Sequence, residues 1–357
     1  MVGNGGFLRL PAIGQEVLPI FFGDMVSLSL LGQFNERPEQ IAKSQTNQVG
    51  TMKTMDLIPV SDKLYLINSP TGGRFPMAYS FLVLGSDTHA LIDTGCGPEA
   101  IRQVLEEYGV DMVINSHCHP DHVSGNHLLA GRELLVPHER IEEVGAVRRL
   151  ARRLMGSDRA VMDSWEYFVR QDLGMRDYEP TRTFQNGETL DFGGISLKAI
   201  HTPGHLDDHY CFLEPKQNIL LSFDIDLTAF GPFYGNPESD IPRFKDSLNV
   251  IMEMKPRVVA SSHRLPVREN IQDEIGSFAA KFSRNEERIA AVMTVPRSLE
   301  EICALKPIYG KYIPGLEILY FFFERCMVQK HLECLETEGK VRFREGKFHL
   351  NPSPGYP

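Results

Sequence analysis

The sequence predicts an α/β catalytic body that carries a helical C-terminal tail, and three observations predict it. From about Met55 the chain breaks into short apolar runs bounded by Gly, Ser or Asp, the pattern of β strands in a meander. Stretches with apolar residues at helical spacing lie between and after these runs. Beyond Pro266 the strands give way to three helical stretches and one alternating ribbon.

In chain order, residues 56–60, 63–68, 78–84 and 89–92 read as strands. A helix fits 98–108, with Pro98 in its first turn and Ile101, Val104 and Leu105 at helical spacing. Residues 111–115 read as a buried strand that delivers the chain to Ser116. Residues 137–177 look like a charged helical insertion, with Arg148, Arg149, Arg152 and Arg153 crowded beside Leu150 and Leu154. That insertion is either a solvated surface element or a lid that carries cations toward an anionic substrate. Strands resume over 188–200 and 209–222, with turns at Asn186-Gly187 and Gly193-Gly194. A helix from Ser239 to Met254, a strand over 257–261 and His263 complete the body.

The tail then reads as helices over 270–293, 299–305 and about 316–338. Residues 341–350 alternate Val341, Phe343, Phe348 and Leu350 with polar residues around Glu345-Gly346, as a hairpin does. Three helices followed by a two-stranded ribbon is the outline of a winged helix. The expected organisation is an N-terminal extension at 1–54, a catalytic body at 55–266 and the tail at 267–357.

Composition narrows the function classes. With 42% hydrophobic and 24% charged residues, the 357-residue chain has the proportions of a globular protein with a full core, which excludes wholesale disorder. Its 37 Lys+Arg against 47 Asp+Glu give a net charge of −10, which argues against nucleic acid bound over the whole surface. The tail is neutral, with 13 Lys+Arg and 13 Asp+Glu between Val267 and Leu350, so a local basic patch stays open. Residues 7–31 are apolar but interrupted by Arg9, Pro11, Glu16, Pro19 and Asp24. No run there approaches the roughly 18 uncharged residues of a spanning helix, so no membrane span is expected. Six scattered cysteines without a CxxC pair or a convincing leader suit reduced thiols in the cytoplasm.

The chemistry begins at Ser116-His117-Cys118-His119-Pro120-Asp121-His122. At a strand end, residues two apart point the same way, so His117 and His119 can converge on one metal ion. Asp121 and His122, past the turn, can reach a second. Cys118 should face the other side as a packed thiol. Imidazole and carboxylate donors suit zinc first, and also iron or manganese.

These residues make the chain resemble the metallo-β-lactamase superfamily, and later residues extend the likeness. His201-Thr202-Pro203-Gly204-His205 is similar to that family's next motif, which implies His205 as the third ligand of the first metal. Leu221-Ser222-Phe223-Asp224 implies Asp224 as the bridging carboxylate. Ser261-Ser262-His263 implies His263 as the last ligand of the second metal. Leu91-Ile92-Asp93-Thr94-Gly95 resembles the opening motif, whose aspartate, here Asp93, orients the site from behind the ligands. The five elements cover roughly residues 55–266 and imply an αββα sandwich, two β-sheets flanked by helices. Two departures bear on substrate: Phe223 and Arg264 stand where the family usually has Gly. They imply a ring near the metals and a more polar pocket.

A narrower resemblance joins body and tail. Residues 202–209, Thr-Pro-Gly-His-Leu-Asp-Asp-His, and 331–341 are similar to segments of the lactamase-β-like endoribonuclease group, which has a winged-helix-like tail.

The expected chemistry is hydrolysis by a hydroxide formed from water shared between two divalent cations. Asp121 and Asp224 hold the metals and accept the nucleophile's proton, while Asp93 fixes an imidazole tautomer. His201 and His209 are either further supports of this kind or ordinary hydrogen-bonded histidines. Phe230, Phe233 and Tyr234 either line a substrate pocket or pack a loop. The leading expectation is a hydrolase of a small ester, thioester or lactone. A ribonuclease or phosphodiesterase is second, favoured by Lys340, Arg342, Arg344 and Lys347 on the hairpin and weakened by the glutamates around them. Iron-dependent redox chemistry is third. The expected partner is a small molecule, with nucleic acid second; the tail can also dimerise the chain or shape the pocket.

Overall fold

A computed structural model describes residues 57–351; the expected N-terminal extension lies outside the described residues. Two sheets form the centre. The first runs β1 (Leu57–Pro59), β2 (Leu64–Ile67), β3 (Ser80–Leu84), β4 (His89–Ile92), β5 (Met112–Ile114), β6 (Glu133–Pro137) and β7 (Arg182–Phe184) in that spatial order. Its hairpin half is antiparallel, and from β4 to β7 it is parallel. The crossovers include α1 (Pro98–Glu107) before β5, and α3 (Val147–Met155) with α4 (Arg159–Gln171) before β7. Parallel neighbours require such crossovers, and the helices cover the sheet face.

The second sheet has the order β12 (Val258–Ser261), β11 (Ile219–Phe223), β10 (Tyr210–Glu214), β9 (Ser196–His201) and β8 (Thr189–Asp191). Only β11 and β12 are parallel, joined through α5 (Ile241–Met254). The expected strands over 188–200 and 209–222 are thus each a hairpin. β6 and β7 were not expected: the apolar core of β6 is only Leu134-Leu135-Val136, too short to display a period.

Three apolar layers make the sandwich. Phe81, Val83 and Ile92 of the first sheet meet Ala199, Phe212 and Leu221 of the second between the sheets. Leu82, Leu91 and Val113 point the opposite way, against Ile101 and Val104 of α1 and Leu150 and Leu154 of α3. This is the period-two alternation of strands buried on both faces. Outside the second sheet, Cys211, Leu220 and Val259 lie under Phe244 and Leu248 of α5. The layer order is αββα.

The tail comprises α6 (Ile271–Val292), α7 (Leu299–Cys303), α8 (Glu317–Thr337) and the hairpin β13 (Val341–Arg344) and β14 (Lys347–Leu350). Phe278 and Phe282 of α6 and Met327 and Leu332 of α8 share the α5 layer, so the tail continues the core outside the second sheet. Ser298 caps α7 in a full capping box with Glu301. Among the described residues, no helix is long and apolar enough to cross a membrane.

Candidate metal centre

The chemistry-bearing residues leave the carboxyl ends of β4, β5, β9, β11 and β12, which the topology places along one edge of the sandwich. Asp93 follows β4, the segment 116–122 follows β5 into the short helix α2 (Pro120–Val123), and His205, Asp224 and His263 follow β9, β11 and β12. Close backbone approach is part of the arrangement: a Cβ at Gly95 would collide with the Asp121 carbonyl oxygen. Gly204 has φ of +123°, and a side chain there would strike the backbone of Phe244.

His117, His119, His205 and Asp224 form one group and Asp121, His122 and His263 a second, with the donor atoms in each within 4.8 Å of one another. His119 Nδ1 lies 3.2 Å from His117 Nε2 and 2.8 Å from His205 Nε2. The Asp224 carboxylate reaches both groups. Its Oδ2 is 3.1 Å from His205 Nε2, and its Oδ1 is 2.8 Å from His122 Nε2 and 3.3 Å from His263 Nε2.

What surrounds the rings decides which atoms face inward. His122 Nδ1 donates to Asp93 (2.7 Å), His205 Nδ1 to the Phe233 carbonyl (2.8 Å) and His263 Nδ1 to the Gly73 carbonyl (2.6 Å). Ser116 Oγ donates to Asp93 Oδ2 (2.7 Å), so it accepts from His117 Nδ1 (2.9 Å). His119 is turned over: its Nε2 donates to Asn236 Oδ1 at 2.8 Å, while Asn236 Nδ2 is committed to the Leu154 carbonyl. With each outer nitrogen holding a proton, five inner nitrogens present lone pairs to one another. Lone pairs at these distances repel, and His122 Nε2 and Asp224 Oδ1, 2.8 Å apart, are buried with no further hydrogen-bond partner among the described residues. Both features suit cations between the rings, so the residues present fit a pair of divalent metals.

The electrostatics agree. Burial, and then the neighbouring imidazoles, hold His117 well below its ordinary pKa. Against burial, Asp224, Asp93 and Asp121 hold His122 well above it. Asp224 itself is held well below the carboxylate range, against burial, by His122 and His117. Positive charge is favoured in this cluster.

His209 supports the centre from behind: its Nδ1 faces Thr202 and its Nε2 accepts from the Asp224 backbone N–H at 3.4 Å. His201 does not. Its Nε2 donates to the Asp207 carbonyl and its ring lies on Tyr210. Cys118 is a buried thiol in the layer under α1 and α3. Ser116, Asn236 and Asp226 were not singled out from the sequence. Asp226 lines the same cavity as Asp224, and burial pushes its carboxyl up to about 6.

A cavity of about 470 Å³ opens on the two groups, with His119, Asp121, Asp224, Asp226 and His263 at its polar end. Phe230 and Phe233 line it. Three other expected pocket residues do not. Phe223 alternates with Asp224 and so points between the sheets, edge-on to Phe81 and Phe212. Tyr234 is fully buried; its hydroxyl is 2.7 Å from His331 Nε2 on α8 and accepts from Asn285 on α6. Arg264 pairs with Glu274 of α6 at 2.8 Å.

Phe223 has φ of 48°, in the left-handed region where a Gly would be unstrained. Phe223→Gly relieves about 1–2 kcal/mol of strain. It also removes a fully buried ring worth about 3–5 kcal/mol. The expected result is a net loss of about 2 kcal/mol in urea unfolding, and a more stable variant would overturn this assignment.

His331 gives a pH prediction. Burial, then the Lys245 charge, lowers it to about 4, against about 6.5 unfolded. As pH falls below about 6.5 the unfolded chain binds the proton first, so stability is lost through this window, by about 3 kcal/mol once pH passes 4. Urea midpoints at pH 7 and pH 4.5 should therefore converge in His331→Gln relative to the unmodified chain; an identical drop in both would sink the assignment.

The four arginines of the insertion do not line the cavity. Arg148 pairs with Asp163 and Glu166, and Arg153 is buried against Asp208 and Glu238. The insertion instead offers Met155, Trp165 and Phe168. The cation-bearing lid is corrected to an apolar wall.

Comparison with known proteins gives the family. The sequence profile of the Metallo-beta-lactamase superfamily matches residues 73–263. The thioesterase pkgB of Emericella nidulans is 24% identical over 223 residues, 60% of this chain and 54% of that protein. A hydroxyacylglutathione hydrolase of Erythrobacter litoralis is 25% identical over 256 residues, 67% of this chain and 86% of that protein. The match spans 38% to 54% of the length of several curated relatives. Among crystal structures, a metallo-beta-lactamase family protein from Thermus thermophilus is 22% identical and superposes with a TM-score of 0.63 over 82% of this chain and 100% of that one. A likeness at that identity concerns the fold.

Proposed function

We propose that this chain, which belongs to the metallo-β-lactamase superfamily, is a binuclear metal-dependent hydrolase of a small ester, thioester or lactone, with thioesters foremost. The observation that carries this reading is the set of five inward imidazole nitrogens and two carboxylates at the polar end of an apolar cavity. His117, His119 and His205 would hold one cation, Asp121, His122 and His263 the other, and Asp224 both. Zinc suits these donors first, with iron or manganese also compatible. Such cations, when bound, supply Lewis acidity and lower the pKa of a shared water.

The chain's own residues do the rest. Asp93 and Ser116 fix the tautomers of His122 and His117, and Asn236 that of His119. Asp121, 3.5 Å from His263, is placed to accept the proton of the attacking water. Water adds at the acyl carbon, the C–S or C–O bond breaks, the thiol or alcohol leaves with a proton, and the acid remains. Support for thioesters comes from two relatives, a thioesterase and a hydrolase of hydroxyacylglutathione, itself a thioester.

The tail adds to the small-molecule reading, since Tyr309, Leu319 and Phe323 line the cavity. On the hairpin Lys340 pairs with Glu286 and Glu338, Arg344 with Glu345, and Lys347 lies 3.7 Å from Glu301, which leaves little free charge for phosphates. Six free cysteines, five of them buried, suit a reducing, cytoplasmic setting.

The test is a hydrolysis panel of thioesters, lactones, phosphodiesters and single-stranded RNA on metal-analysed protein. Cleavage of acyl substrates, lost on chelation, is expected. RNA cleavage that falls steeply with salt would overturn the acyl reading, and iron with oxygen uptake would point to redox chemistry.

A further inference from the structure

Beyond its polar end, the cavity has a chemistry of its own. At about 470 Å³ it has the size at which a pocket buries most of a drug-sized ligand, far more than an acetyl group needs. Its walls come from separate parts of the chain and are joined by aromatic pairs. Phe75 meets Phe168 of the insertion at 5.9 Å between ring centres, Phe230 meets Tyr309 at 5.5 Å, and Phe233 meets Phe323 of α8 edge-on at 5.4 Å.

The tail side is fixed by an internal tie. Glu324 of α8 is fully buried, and its carboxylate accepts from the backbone N–H groups of Ile308 and Tyr309 at 2.8 and 3.0 Å. That holds the segment after α7 against α8, with Leu316 and Leu319 facing the cavity. Arg74, exposed, is the one Lys or Arg among the described lining residues, and its Nε donates to the Thr71 carbonyl. Three carboxylates, Asp121, Asp224 and Asp226, stand at the polar end. Away from that polar end, an anionic group in this cavity would lose its hydration without gaining a cationic partner among the described residues.

Resting on the hydrolase reading above, we infer that the substrate's acyl half is a bulky, uncharged apolar group, a fused ring or a chain well beyond acetyl, and that the tail supplies the wall that selects it. The acyl carbon sits at the His/Asp cluster and its apolar remainder fills the cavity between the insertion and α8. The leaving thiol or alcohol, with any polar carrier, extends past Arg74 into solvent.

Trp165 is the chain's one tryptophan and lines this cavity, so its fluorescence reports occupancy without catalysis. Two series test the inference on the full chain. Straight-chain alcohols from butanol to decanol are titrated against Trp165 emission, with and without metal. Thioesters from acetyl to decanoyl, and naphthoyl, are assayed for kcat/KM on metal-loaded protein. Alcohol affinity and kcat/KM should each rise about fourfold per methylene, the factor for moving a CH₂ out of water. Leu319→Ala and the half-exposed Leu316→Gln should each lower the decanoyl-to-acetyl ratio about fivefold or more, with circular dichroism confirming that at least one folds.

Cleavage without chain-length dependence, or with no Trp165 response, overturns the inference and leaves the hydrolase reading intact. Graded alcohol binding with no acyl substrate cleaved overturns the hydrolase reading, and the acyl assignment with it.

Discussion

Asp224→Ala is expected to reduce bound metal from two ions per chain to one or none and to lower hydrolysis by about a thousandfold or more. No other side chain among the described residues has an oxygen near both groups of donors: Oδ2 faces His205 and His117, and Oδ1 faces His122 and His263. Without it, the imidazole lone pairs lose the carboxylate that lets them share two positive charges. His263→Ala, by contrast, removes a donor from the second group alone, and metal content should fall to about one. Elemental analysis with parallel kcat measurements checks both. An Asp224→Ala protein that kept both metals and full activity would sink the assignment. A thermal scan separates metal loss from misfolding, because loaded ligands should raise the midpoint of the parent protein more than that of the variant.

Arg153→Ala is expected to destabilise the chain by about 3–5 kcal/mol, the cost of leaving buried carboxylates uncompensated. The side chain is 1% exposed, and its guanidinium reaches Asp208 at 3.0 Å and Glu238 at 2.6 and 2.9 Å. Glu238 also accepts from the Asp207 backbone N–H, so Arg153 on α3 anchors the segment that carries His205. In urea the midpoint should fall well below the parent's, and Arg153→Met, which keeps bulk but not charge, should fall nearly as far. Combining Arg153→Met with Asp208→Asn and Glu238→Gln should recover much of the loss. A drop under 1 kcal/mol for Arg153→Ala would show that water reaches the pair.

The parts that were legible in the sequence share a cause. His117, His119, Asp121 and His122 sit on consecutive turns after one strand, so local geometry alone brings them together. The αββα layers followed from short apolar runs and from the family likeness of five motifs in order. By contrast, β7 and β8 are three residues long and the apolar core of β6 spans only Leu134-Leu135-Val136, too short to show a period. Phe223, Tyr234 and Arg264 were misplaced for a different reason. Nearness in sequence to a ligand is not nearness to the cavity: Phe223 packs between the sheets, His331 and Asn285 hold Tyr234 against α8 and α6, and Glu274 draws Arg264 aside.

Spacing within a few residues was enough to specify the donor set, its order along the chain and the strand ends that carry it. Which ring nitrogen faces inward depends, for His117, on its neighbour Ser116, and for the other four on Asp93, Gly73, Phe233 and Asn236, contributed from loops far apart in the chain and brought together only by folding. Folding also commits Arg153 of the insertion to the buried Asp208 and Glu238 and turns the tail into the wall of an apolar cavity. Hydrogen-bond partners and cavity walls are long-range pairings, and no local period encodes them.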